Sequence, residues 1–234
     1  MAVSRQAEPA GRTTGAGPRA RMKRVLLDTA MELMQRGFIP SVSDVAQTAN
    51  VSRATAYRYF PSQAAMIQDA VNEALGPILG WTSEAADPEE RIADLIAFAY
   101  PRIDAFEATH RGALLLALDQ WTRRKAGTLG DEAAIVRGHR KALLAEAVAP
   151  LKGRLGKRAF DRLVQSLSLI FGTEAFVVLK DIWGLDGVEA RQVAVWSANA
   201  LVRAAVAEAA AKQGIRPVRS TRRNAAKRPR GKLN

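Results

Sequence analysis

Apolar positions in this chain recur at helical spacing. Leu26, Leu27, Ala30, Leu33 and Met34 fall at i, i+1, i+4, i+7 and i+8 and form one stripe. That stripe predicts a first helix from about Pro18 to Arg36, with Gly37 as its stop. Ser41 and Asp44 form a capping pair for a short second helix, Val42 to about Thr48. Ser52 caps a third, Arg53 to about Tyr59, which Pro61 ends. Ser62 opens a fourth that runs towards Trp81. Asp87, Pro88, Glu89 and Glu90 give a fifth helix an N-cap, an N1 proline and an acidic first turn. Pro101 predicts a kink or break in it near Tyr100. Further helices are predicted at about Ala108 to Lys125, Asp131 to Pro150, about Lys157 to Trp183, and Asp186 to about Lys212. The expectation is therefore an all-α chain of about nine helices, without strands and without a repeat at solenoid periods.

Composition agrees, since Ala, Leu, Arg, Glu and Lys dominate and all favour helices. The absence of cysteine excludes disulfides, thiol redox sensing and cysteine-based zinc sites. The first twenty residues lack the apolar core of a signal peptide, and no run of roughly 18 apolar residues offers a membrane span. A cytoplasmic protein is the expectation.

Charge changes the picture. The formal net charge is +12. Residues 1–21 carry Arg5, Arg12, Arg19 and Arg21 against Glu8, and residues 213–234 carry eight basic residues and no acid. The body between them is nearly neutral. We therefore divide the chain into a disordered basic arm (1–18), a helical body (19–212) and a disordered basic tail (213–234). Phosphate binding is the functional reading of both basic ends.

One stretch has more polar and aromatic groups than a short helix can use in a core. "SVSDVAQTANVSRATAYRYFPSQAAM" places Arg53, Thr55, Tyr57, Arg58 and Tyr59 within seven residues. A helix, a short helix, a tight turn and a second short helix is helix-turn-helix grammar, with the last helix entering a major groove. Arg53 can fork onto guanine, and Thr55 can offer a hydroxyl or a methyl group. The tyrosine hydroxyls suit phosphate oxygens. Ala46, Ala49 and Val51 are small enough to let the two short helices pack closely.

Together with "LLDTAMELMQRGF", this stretch resembles the TetR/AcrR family of transcriptional regulators. Tyr57-Arg58-Tyr59-Phe60 stands at that family's aromatic signature. The resemblance is strong over about Val25 to Ala74 and looser in "GTEAFVVLKDIWGLDGVEA" and "WSANALVRAA". It implies DNA contacts from Ser43, Arg53, Ala54, Thr55, Tyr57, Arg58, Tyr59 and Gln63. Two departures stand out: Gln63 replaces a usual lysine, and Ala54 a frequent glycine. Residues 22–80 also balance five cations (Lys23, Arg24, Arg36, Arg53, Arg58) against five acids (Asp28, Glu32, Asp44, Asp69, Glu73). Phosphate neutralisation supplies most non-specific DNA affinity, so the basic ends are expected to provide part of it.

The resemblance further implies a helix-turn-helix DNA-binding domain over 19–65, a helical effector-binding and dimerisation domain over 66–212, and a homodimer on a palindromic double-stranded operator, released by a small-molecule effector. The stripes Leu163, Leu167, Phe171, Val178 and Val193, Trp196, Ala200 are the expected dimer interface. Tyr100, Phe106, His110, Leu114, Trp121 and Glu174 are the candidate effector residues, with Glu174 set in the apolar stripe as a buried carboxylate that needs a partner. Their apolar character points to a hydrophobic or aromatic ligand. A repressor without metal or cofactor is the reading.

The sequence admits rival readings. Glu107 and His110 match half of a di-iron motif, but the residue three before the other histidine, His139, is Val136, so the metal reading fails. No P-loop, nucleophile elbow or dinucleotide fingerprint points to an enzyme. An architectural protein working through basic tails would have no use for a helix-turn-helix, nor would a simple helical small-molecule-binding protein.

Overall fold

The computed structural model describes residues 17–212, so both basic ends, including the arm before position 17 and the tail after 212, lie outside it. Among the described residues there are helices and no strands. Helix α1 (Pro18–Gln35) starts on its proline and buries Leu26, Leu27, Ala30, Met31 and Met34. Helix α2 (Val42–Thr48) has the reciprocal cap: Asp44 N–H donates to Ser41 Oγ at 3.1 Å, and Ser41 N–H to the Asp44 carboxylate at 2.8 Å. The Ser41 hydroxyl, which also donates to the Asp44 carboxylate at 2.7 Å, and then the Ser41 N–H hold that carboxyl below its usual range. Asn50 takes φ 54 in the turn that follows, a conformation Asn tolerates better than most residues. Helix α3 (Arg53–Tyr59) is capped by Ser52, whose Oγ accepts from Thr55 N–H at 3.1 Å.

Helix α4 (Gln63–Leu75) ends earlier than its sequence pattern suggested. Gly76 turns the chain at φ 44 into a 3-10 turn, Gly76–Gly80. A side chain at Gly76 would start 2.6 Å from the Arg102 guanidinium, which donates to the carbonyls of Ala74 and Glu73 that the helix end leaves free. Helix α4 buries Met66, Ile67, Ala70 and Ala74 in the same core as α1, α2 and α3. The division at 65/66 therefore cuts a core, and the DNA-binding unit needs α4.

Helix α5 (Pro88–Ala105) is capped by Asp87 as expected but runs on through Pro101 rather than stopping at Tyr100. Helix α6 (Glu107–Lys125) follows after one residue. The predicted helix over 131–150 forms only as α7 (His139–Ala147), with a 3-10 turn at Ala149–Leu151. Residues 131–138 are an irregular strap instead. Their backbone is satisfied by side chains: Ile135 N–H donates to Gln120 at 3.0 Å, Val136 N–H to Gln68 at 2.8 Å, and Gln120 donates to the Ala133 carbonyl at 3.0 Å. Such partners remove the need for a helical ladder.

The long helix predicted over 157–183 is broken. Helix α8 (Lys157–Leu167) ends in a bend closed by Gly172 at φ 107, and α9 (Thr173–Phe176) continues as a π turn, Val177–Ile182. Carbonyls freed by the bend have partners: Tyr100 Oη donates to Ile170 O at 2.6 Å and Arg140 to Ser168 O at 3.1 Å. Helix α10 (Gly187–Lys212) opens on the expected Asp186/Glu189 box, with bonds of 2.8 and 3.0 Å. By length and composition it could cross a membrane, but Ala190, Ala194, Ala198 and Val202 are buried and α10 packs on α5 and α8.

Two buried cores result. One joins α1–α4 to Ala113 and Leu116 of α6. The other joins α5, α7, α8 and α10 around Tyr100, Phe171 and Phe176. A small cavity lies at their seam.

Candidate nucleic-acid interface and ligand cavity

Helix α3 is seven residues long and buries only Ala56. Phe60, at its C-cap, is the residue that anchors it to the α1–α4 core. Arg53, Ala54, Tyr57 and Arg58 are exposed, with Tyr57 at 46%. Thr55 and Tyr59 are half-buried. The Thr55 hydroxyl is engaged locally, 2.8 Å from Ser52 Oγ and 3.3 Å from an Arg58 nitrogen. Its neighbours Arg53 and Ala54 remain open at the N-terminal end of the helix. Ser43 is half-buried on α2.

Gln63 differs from the expectation. Its amide nitrogen donates inward to the Pro40 carbonyl at 3.0 Å and approaches that of Ile39 at 3.4 Å. It ties the start of α4 to the chain entering α2, which is a structural use for the position. Cations near the interface are similarly committed. Lys23 pairs with Asp69 at 2.7 Å, and Arg24 with Glu73 at 2.9 Å and Asp28 at 3.0 Å. The Arg24 guanidinium is held above its usual range mainly by the Glu73 hydrogen bond. These exposed pairs add little stability, but they lower the positive field beside α3.

A small exposed helix, presented by two capped turns on a compact helical core, has the geometry of the reading head of a helix-turn-helix DNA-binding domain. Residues 26–70 match the family model described as bacterial regulatory proteins, tetR family. That match covers the helix-turn-helix and most of α4, and gives these residues the pattern of a tetR-family DNA-binding domain. Two solved structures are similar. One is a TetR transcriptional regulator from Rhodococcus sp. RHA1, 16% identical, with a TM-score of 0.48, covering 78% of this chain and 96% of its own. The other is described as a TetR-family regulator from Mesorhizobium loti, 17% identical, with a TM-score of 0.48, covering 82% and 98%. No curated protein matches the chain.

A cavity of about 100 Å³ lies at the seam of the two cores. Val71 and Leu75 of α4, Ile103 of α5 and Ala113 of α6 form much of its apolar wall. His110 and Leu114 line it, as the sequence suggested. The other candidates do not. Trp121 is 58% exposed, because α6 turns a different edge inward: Thr109, Ala113, Leu116 and Gln120 are its buried row. The face shared by His110, Leu114, Leu118 and Trp121 is rotated from that row by about a third of a turn at roughly 100° per residue. Tyr100 is buried behind the cavity, with its ring 4.9 Å from Phe176 and its hydroxyl on Ile170. Burial pushes its phenol well above the usual range. Phe106 is half-buried in the α1–α4 core, with the Arg102 guanidinium 4.9 Å from its ring centroid.

Glu174 is half-buried at the edge, not enclosed in an apolar stripe. It accepts from both Arg137 and Arg140. Burial raises its carboxyl, but the hydrogen bond and charge of Arg140, helped by Arg137, bring the net value below the ordinary one. Sequence reasoning missed the strap and its neighbours Ile135 to Arg140, which all line the cavity. The signal was present in "RGHR", Arg137 to Arg140, a basic run with a glycine inside a segment read as helix.

His110 is 6% exposed and its Nε2 has no hydrogen-bond partner; the same is true of Nε2 of His139. Burial, and then the charge of Arg102, lower the His110 imidazole to about 4. The ring is therefore neutral near pH 7.

The expected dimer stripe divides. Leu163, Leu167 and Phe171 are buried in the chain's own core and are unavailable to a partner. The bend at 168–172 leaves Phe171 with Leu163 and Leu167 inside and separates Val178 from them. Ala200 is half-buried, whereas Val178, Val193 and Trp196 are exposed, Trp196 at 70%.

Proposed function

We propose that this regulator is a repressor that binds a palindromic operator as a homodimer and is released by a small-molecule effector in the cavity between its two cores. The carrying observation is the position of α4. Its first residue follows α3 through Phe60, Pro61 and Ser62, and its last turn lines the cavity with Val71 and Leu75. One helix thus touches both the reading head and the ligand space.

Volume supports the direction of the switch. The cavity, at about 100 Å³, is below the roughly 300 Å³ of ordinary small-molecule sites. An effector of usual size has to push a wall outward, and the α4 wall is joined to α3. Its displacement alters the separation of two recognition helices whose half-sites are spaced by about 35 Å or a multiple. A 100-fold release requires about 2.7 kcal/mol of preference for the shifted state. Exposed Val178, Ile182, Trp183, Val193 and Trp196 offer a second copy an apolar face of the kind a symmetric dimer covers. The cell compartment consistent with this role is the cytoplasm.

Selection of bound fragments from random DNA, followed by footprinting, tests the reading. The expected result is a two-fold symmetric protected site. Equal protection of all sequences would replace the operator-reading role with sequence-blind binding.

A further inference from the structure

The cavity wall changes chemistry from one end to the other. Leu75, Ile103, Leu114 and Leu143 make an apolar body. Arg137, His139 and Arg140, with His110 from α6, make a polar end. Both imidazoles have a buried Nε2 without a partner. An unpaired buried polar atom costs about 1–3 kcal/mol, and native folds rarely keep two in one place without a use for them. The two guanidinium groups face one carboxylate, Glu174. Arg137 and Arg140 against Glu174 leave one positive charge, His110 is neutral, and the Arg102 guanidinium near it adds to the positive field.

We propose that the effector is a small amphipathic carboxylic acid, whose carboxylate is taken by Arg137 and Arg140 in competition with Glu174 while its apolar body lies along Leu75 and Leu114. The proposal rests on the cavity being the effector site. A planar carboxylate has two acceptor oxygens, which suit the fork of a guanidinium. Its single charge neutralises the single excess charge of the arginine pair. A cation is repelled by that excess, and a neutral ligand leaves it uncompensated. His110 supplies a further polar partner from α6, in a place where burial strengthens a hydrogen bond.

Glu174 then acts as a built-in stand-in for the ligand. It keeps both arginines paired in the empty state, and an arriving acid has to displace it from at least one. Arg140 also holds the Ser168 carbonyl at the α8 bend, so it stays in place when its carboxylate partner changes. Arg137 belongs to the strap, one residue beyond the Val136–Gln68 bond to α4. Exchange of partner at Arg137 is therefore felt next to the helix that leads to DNA.

Calorimetric titration of the full chain with benzoate, phenylacetate, 4-phenylbutyrate and hexanoate, each against its primary amide, tests the assignment at pH 7. At least one acid is expected to bind ten-fold or more tightly than its amide. Glu174→Gln should tighten that acid several-fold and leave the amide unchanged, because only the competing charge is removed. Arg137→Gln should bring acid and amide to similar affinity. Amides that bind as well as acids, or a Glu174→Gln variant that binds the acid more weakly, overturn the acid assignment while the cavity stands as the effector site. If no acid or amide binds, both readings fall. The acid–amide comparison on the unaltered chain decides the matter even if a variant fails to fold.

Discussion

Replacing His110 with asparagine should remove a defined part of the protein's acid sensitivity. Burial, followed by the charge of Arg102, depresses the His110 imidazole from its ordinary 6.5 to about 4. The unfolded chain therefore takes up a proton at this residue when the folded chain does not. The folded state is favoured above pH 6.5, and that advantage declines as pH falls towards 4. Over the interval from pH 7.5 to 4.5 the linkage amounts to about 2.5 kcal/mol, since one pKa unit corresponds to about 1.36 kcal/mol. That is a substantial share of the roughly 5–15 kcal/mol that holds a typical domain folded. Carboxylates held below their usual range, such as Glu174 with its arginines, also lose stability in acid, but they do so in both proteins and cancel in the difference.

The assay is urea unfolding of the unaltered chain and of His110→Asn at several pH values across that interval. The unaltered chain should lose about 2.5 kcal/mol more than the variant. Because the chain has two histidines, the His110 ring proton can also be assigned by its loss in the variant and followed directly in the folded state. Parallel stability curves for the two proteins, or a folded-state titration near 6.5, would refute the burial argument.

Other outcomes follow from named contacts. Arg53→Ala should cost about 1–3 kcal/mol and relax preference at one base pair per half-site, whereas Tyr57→Phe should weaken all sequences alike; an unchanged specificity profile for Arg53→Ala removes its base-reading role. Gln68→Ala breaks the bond from α4 to the strap, and should reduce ligand-induced release more than ligand affinity, read by titrating ligand with and without operator; equal losses in both assign it to binding alone. Removal of residues 213–234 should flatten the salt dependence of DNA binding, by about 0.9 in log–log slope per lost phosphate contact; an unmoved slope means that the tail does not touch DNA.

The DNA-binding end was legible because its signals are local. A cap is written in residues three apart, as in Ser41/Asp44 and Ser52/Thr55, and the structure makes those bonds. Stripe spacing in α1 similarly predicted its buried edge, with Leu26, Leu27, Ala30 and Met34 inside. The ligand cavity was less legible because its signals are not local. Nothing near Ile135 announces that Gln120, fifteen residues back, will take its N–H, or that Gln68 will take that of Val136. Residues 131–138 read as helix because their apolar and charged residues suit one, and tertiary side-chain partners override that preference.

The bend at 168–172 is the same lesson with a functional consequence. A continuous helix over 157–183 puts Leu163, Leu167, Phe171, Glu174 and Val178 on one stripe, which reads as an interface with an awkward carboxylate in it. Gly172 at φ 107 interrupts the stripe. Phe171 stays with Leu163 and Leu167 in the core and lines the cavity, Glu174 emerges beside Arg137 and Arg140, and Val178 lies outside. The break also frees carbonyls, and the groups that accept this task are Tyr100 from α5 and Arg140 from α7. The bend therefore pins α5 and α7 at the level of the cavity, and makes a residue that looked like a defect in an apolar stripe the counter-ion of Arg137 and Arg140. A ligand that takes Arg140 or Arg137 from Glu174 acts on this joint on one side and, through the strap and Gln68, on α4 at the other.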